Sequence, residues 1–91
     1  MAISKEEAVK QARSDLTSRL GINERDITNE SVEEAEFPDT ALGASTEDEM
    51  SGQMLTNGWR IQLKAKGKSF EYRANKHQVR LYNYKGSNYR I

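Results

Sequence analysis

Cysteine is absent from the 91 residues. That removes disulfides, thiolate nucleophiles and thiolate metal ligands together. There is one histidine, His77, in a polar turn reading Asn75-Lys76-His77-Gln78. A general base or a metal ligand needs partners, and no second histidine exists to supply one. The reading of His77 is therefore an exposed turn residue. The six glycines are scattered and form no phosphate loop. The serines sit in no nucleophile-elbow motif. No apolar run approaches the length of a membrane span. The start, Met1-Ala-Ile-Ser-Lys-Glu-Glu, lacks the apolar core of a secretory signal, so a cytoplasmic location is expected unless the chain derives from a longer precursor. No segment repeats, and no linker composition divides residues 1–91, so one domain is expected. The composition carries no catalytic constellation. Neither an enzyme nor a cofactor or metal site is expected.

What is present is charge, in two blocks. Residues 1–57 hold 13 acidic and 5 basic residues, a net of −8. Residues 58–91 hold 9 basic residues and one acid, Glu71, a net of +8. Asymmetry of this kind points to a charged partner, or to each half neutralising the other. Apolar residues are 35% and charged residues 31%, which leaves a thin core that two packed layers would exhaust.

The stretch from Gly58 to Tyr84 organises the rest. Trp59, Ile61, Leu63 and Ala65 alternate with Arg60, Gln62, Lys64 and Lys66. Phe70, Tyr72 and Ala74 resume the alternation after Gly67-Lys68, and Val79 and Leu81 continue it after the His77 turn. Period two means strands with a dry face and a wet face. Short polar connections make them antiparallel neighbours. A meander over 58–84 follows.

Ahead of it, Ser4-Lys5-Glu6-Glu7 has the form of a capping box. Ala8, Val9, Ala12, Leu16 and Leu20 recur at helical spacing, and Gly21-Ile22 has the form of a left-handed stop with its apolar contact. This predicts a helix over about Lys5–Leu20. Asn23 to Ile27 reads as a short turn, with Asn23 capping it. Thr28 to Phe37 reads as an edge strand crowded with Glu30, Glu33, Glu34 and Glu36, since charge on an edge discourages stray pairing. Pro38-Asp39 ends it. Ser45 to Asn57 has no period and reads as a mobile acidic loop closing at an Asn57-Gly58 turn. The tail Tyr82–Ile91 is aromatic and basic, with Gly86-Ser87-Asn88 placed to turn it into a short last strand. The expected fold is α+β and two-layer: one N-terminal helix packed on an antiparallel sheet of about four strands.

Asp15-Leu16-x-x-Arg19-Leu20-Gly21-Ile22, Phe37-Pro38-Asp39-x-x-Leu42-Gly43, Gly58-Trp59-Arg60-Ile61-x-Leu63-x-Ala65-x-Gly67 and Phe70-Glu71-Tyr72 occur in that order. The order resembles a family of small uncharacterised bacterial domains, common in cyanobacteria, over most of residues 15–74. Phe37 stands where that pattern has tryptophan, Ala41 where it has serine and Ala44 where it has cysteine, and the proline after the cysteine is missing. Any thiol role in relatives is thereby excluded here. The resemblance implies a helix-plus-sheet domain and no particular activity.

Two sets of residues are candidates for function. The first is the wet face of the sheet: Arg60, Lys64, Arg73 and Arg80 with Tyr82 and Tyr84 would point outward, as in a platform for nucleic acid, or would be neutralised by the acidic loop folding over them. The second is the 38–57 loop with Asp39, Leu42, Glu47 and Asp48. Asp39 would cap a turn while Phe37 and Leu42 plug the sheet, or the loop would recognise a protein in the manner of a peptidase inhibitor. Glu47-Asp48-Glu49 with Asp39 could gather oxygens for a cation, but the spacing lacks the order of a calcium loop. A non-enzymatic module acting through protein contacts is the first expectation. Weak nucleic-acid binding is second, and no membrane contact is expected.

Overall fold

Ser4 starts the helix as its cap. The computed structural model describes residues 2–91. In it the Ser4 hydroxyl accepts from the Glu7 amide at 3.1 Å, and helix α1 runs Lys5–Leu20. Gly21 adopts φ 65°, and the Ile22 amide reaches back to the Thr17 carbonyl at 3.0 Å, so the helix stops in a left-handed turn as its sequence requires. A single 3-10 turn, Glu24–Asp26, follows, and the Asn23 amide donates to the Asp26 carboxylate at 3.0 Å. Five strands complete the chain: β1 (Ile27–Phe37), β2 (Thr56–Ala65), β3 (Lys68–Ala74), β4 (Val79–Tyr84) and β5 (Ser87–Arg90).

All neighbours are antiparallel, and the spatial order is the sequence order, β1-β2-β3-β4-β5. The sheet thus has five strands where about four were expected, because the aromatic tail adds the short β5 to the meander and the acidic edge. Lys66-Gly67 and Lys85-Gly86 join their hairpins with φ of 53° and 75°, and of 53° and 84°. Two central residues at positive φ are the turn whose twist matches flanking strands, so register follows from two Lys-Gly pairs.

One expected turn is absent. Asn57 and Gly58 lie inside β2, paired with Glu36 and Ala35. Gly58 serves close approach instead: a Cβ there would collide with the Ala74 carbonyl oxygen and lie 3.2 Å from the Phe37 ring.

Helix α1 lays Ala8, Ala12 and Leu16 on the sheet. Ile61, Leu63, Ala65, Tyr72, Ala74, Val79 and Leu81 meet them from β2, β3 and β4, with Ile27 from β1 and Trp59 and Phe70 at the margin. Small residues on the helix let it approach the larger ones on the sheet. Tyr72 is the largest fully buried side chain. Its hydroxyl donates to the Asp15 carboxylate at 2.7 Å, and Arg19 holds the same carboxylate through contacts of 3.1 and 3.2 Å. Burial first, and the Asp15 hydrogen bond second, push the phenol well above its ordinary range, so Tyr72 stays protonated as a donor. The Asp15 hydrogen bond likewise raises Arg19, which lies over the Tyr89 ring at 4.6 Å.

Leu16 has no exposed surface. Leu16→Ala is expected to cost about 2–5 kcal/mol in urea denaturation, the range for truncating a buried leucine. An unchanged midpoint would mean that α1 is not seated on the sheet by this residue.

Candidate functional site

The outward face of the sheet carries one continuous row. Glu33 of β1 pairs with Arg60 of β2, Arg60 with Arg73 of β3, Arg73 with Arg80 of β4, and Arg80 with Arg90 of β5. Four arginines therefore stand on adjacent strands. Residues directly opposite have Cβ atoms about 4.5–5.5 Å apart, and like charges at that spacing repel.

The segment between β1 and β2 answers that repulsion. Pro38 ends β1, and the Asp39 carboxylate accepts from the Ala41 and Gly43 amides, each at 2.9 Å. Leu42 and Gly43 follow at φ 59° and 67°, and the Ala44 amide closes the turn on the Ala41 carbonyl at 2.9 Å. A left-handed leucine is strained, at about 1–2 kcal/mol. It is held because Leu42 is fully buried with Ala41, Ala44 and Phe37 against the outer face. The left-handed φ favours glycine at 43, and a Cβ there would displace the Arg73 guanidinium, a nitrogen of which would lie 2.6 Å away.

Three side chains, Arg73 and Arg80 on the sheet and Gln78 in the turn between β3 and β4, donate to alternate carbonyls of this turn. Gln78 donates to Thr40 at 2.8 Å, Arg73 to Leu42 at 3.0 Å and Arg80 to Ala44 at 3.3 Å. Glu49 then meets Arg80 with two short bonds of 2.5 and 2.6 Å, and lies 3.6 Å from Arg90. Asp48 reaches Arg90 at 3.3 Å, and Asn88 donates to the Ser45 carbonyl at 2.8 Å. Glu33 and Glu71 complete the neutralisation by flanking Arg60 at 3.1 and 3.4 Å, with Glu71 also 2.7 Å from Arg73. The ends of the loop meet where Thr40 and Gly52 exchange bonds of 3.0 and 2.8 Å. The acidic loop is thus folded over the outer face and pinned at Glu49, the second of the two alternatives for that face.

The candidate face is brought together but not left open. Arg73 is sandwiched, with its guanidinium 3.6 Å from the Tyr82 ring centre and 5.3 Å from that of Phe37. Arg80 is buried. Arg60 is engaged with Glu33, Glu71 and the Phe37 ring. Lys64 alone among the four bases points freely outward. Tyr84 is on the other face, contrary to its parity. Between Leu81 and Tyr84 the register slips, Asn83 takes φ 51°, and its amide is received by the Asn88 side chain at 2.8 Å. This bulge turns Tyr84 into the helix-side cluster, 6.1 Å from Phe70 and 6.0 Å from Tyr89.

In the candidate loop, Asp39 and Leu42 are internal parts of the turn, Asp48 pairs with Arg90, and Glu47 is exposed. His77 is exposed at its turn, where Asn75 accepts the His77 and Gln78 amides at 2.8 and 3.0 Å. No group of three or more metal-ligating side chains occurs among the described residues. No helix among the described residues is long and apolar enough to cross a membrane. What the loop does leave open is its far half. Met50 is 100% exposed, Met54 65% and Leu55 68%. Met54 and Leu55 line a groove of about 460 Å³ with Trp59, Glu34, Lys76 and His77.

The Arg80 hydrogen bond holds the Glu49 carboxyl down from 4.5 to about 2. A carboxyl lowered in the folded chain stabilises it fully above about pH 4.5, and that contribution is lost as the pH falls toward 2. Glu49→Gln is therefore expected to be less stable than wild type at pH 7, with the difference narrowing below pH 4.5 and closing near pH 2. Denaturation at stepped pH reads this; a difference constant across the range would contradict it. Because the row is neutralised internally, no useful binding to random single- or double-stranded DNA is expected at about 0.15 M salt. Micromolar binding that collapses on charge reversal of Lys64 and Arg80 would contradict that.

No curated protein and no solved structure matches the chain. A family model does, over residues 9–82, a span that includes the residues 15–74 over which the sequence resemblance runs. By that match the chain belongs to the family described as Domain of unknown function (DUF8738).

Proposed function

We propose that the protein is a small binding module that acts through contacts with another protein, without catalysis and without a cofactor. The observation that carries this reading is the pair of exposed apolar side chains, Met54 and Leu55, that line the Trp59 groove. Large apolar side chains gathered at a groove mark interaction sites. Methionine suits such a surface because its unbranched thioether adapts to the shape of a partner. The groove volume lies within the ordinary range of binding clefts.

The most perturbed titrating groups support a non-catalytic reading. Tyr72 is locked to Asp15 inside the core and Glu49 is locked to Arg80 under the loop, so both are spent on structure. The 38–57 loop divides accordingly. Its first half is held to the sheet, and its second half is presented to solvent.

Exposed positions tolerate polar substitution, so Met54→Ser with Leu55→Ser is expected to stay within about 0.5 kcal/mol of wild-type stability. In capture from native lysate, proteins retained by the wild type at both low and high salt should be lost by this variant. Retention of the same proteins by the variant would refute the proposed surface.

A further inference from the structure

β1 is an edge strand of 11 residues, and it is the longest strand of the sheet. Among the described residues, no backbone hydrogen bond other than those to β2 reaches residues 28–37. Its outer side is thus a row of amides and carbonyls open to solvent. Glu30, Val32, Glu34 and Glu36 share the face that looks toward α1, opposite Leu63, Ile61, Trp59 and Asn57 of β2. Glu30 is taken by Arg13 at 2.8 Å. Glu34 and Glu36 are exposed and enter no ion pair among the described residues. Glu34 is also a wall of the Trp59 groove. The free edge, the free acids and the apolar groove therefore meet at one end of the sheet.

We propose that this edge binds an extended basic segment of another protein by strand addition. The segment would pair its backbone with β1, set Lys or Arg side chains against Glu34 and Glu36, and place an apolar side chain in the groove between Trp59 and Leu55. The inference rests on the binding-module reading above and names the partner that reading left open. Strand addition supplies affinity through main-chain hydrogen bonds and selects by alternate side chains. Charge decides which strand is accepted. A second copy of β1 would set glutamates against glutamates, which is unfavourable at cross-strand spacing, whereas a basic strand meets opposite charge at the same positions. The acids that keep copies of this chain apart are thus the acids that admit a basic partner.

Trp59 is the only tryptophan, so its emission reports occupation of the groove. The probe is a short capped peptide of alternating Lys and Val ending in Leu, titrated at low salt. Controls are the same peptide with Glu for Lys, and the same peptide N-methylated at alternate residues in each register, which removes its ladder donors. The expected result is a saturable shift in Trp59 emission together with slowed amide exchange in β1. Binding should be at least fivefold weaker to Glu34→Lys with Glu36→Lys, and lost for the Glu peptide and for one N-methylated register. The methylated probes need no change in the protein, so they remain decisive if the double variant is poorly folded. Equal binding of the Glu peptide or of both methylated peptides, or no binding of the Lys peptide at millimolar concentration, overturns the proposal. Self-association of the protein through β1 overturns it as well. Failure of the peptide while Met54→Ser with Leu55→Ser still loses its lysate partner removes strand addition alone; failure of both removes the binding-module reading too.

Discussion

Four arginines in register across a five-stranded sheet are a constraint that the rest of the molecule must answer. A row of like charges at cross-strand spacing does not persist without counter-charge and acceptors. Every device on the outer face supplies one or the other. Carbonyls of the Thr40–Ala44 turn point down at Gln78, Arg73 and Arg80. Carboxylates at Glu33, Glu71, Asp48 and Glu49 sit among the guanidiniums. The charge of the arginine row is thereby answered within the protein, by acids that come mostly from the first half of the chain. The strain of a left-handed Leu42 is one cost of presenting those carbonyls, offset by its complete burial.

The opposite face answers a different constraint. A helix carrying alanine at its contact positions contributes little apolar area, so the sheet must supply the bulk of the core. It does so with Tyr72, whose hydroxyl would be costly to bury alone. Asp15 receives it, and Arg19 steadies Asp15 while covering Tyr89. The helix is thus joined to the sheet by a polar contact set inside an apolar one, with the Arg13–Glu30 pair as a second link at the β1 edge. The two faces share β3, where Tyr72 points in and Arg73 points out, so helix and loop are tied to adjacent residues of one strand.

Much of this was legible in the residues. The helix bounds, the dry and wet parities of β2 and β3, the acidic edge and the role of Asp39 all follow from local rules that involve a few neighbouring positions. What local rules miss is long-range. Gly58 reads as a turn because Asn-Gly usually is one, but the approach of Ala74 and Phe37 to its α-carbon decides otherwise. Tyr84 reads as outward because plain alternation runs straight through Asn83, whose positive φ and Asn88 partner insert one extra residue. The docking of Ser45–Glu49 leaves no periodic trace at all, since Glu49 finds Arg80 across 31 residues of chain. The Asp15–Tyr72 bond had a trace: a tyrosine in a dry row needs an acceptor, and Asp15 lies beside Leu16 on the helix that covers it.

The account turns on the docked loop, and the Glu49–Arg80 pair is the contact that tests it most directly. A double-mutant cycle with Glu49→Ala, Arg80→Ala and the pair, read by denaturant unfolding at pH 7, isolates their coupling from the cost of each truncation. A docked loop predicts a coupling of about 1 kcal/mol or more. Additivity within about 0.3 kcal/mol would contradict it, for it would mean that the loop does not rest on the arginine row.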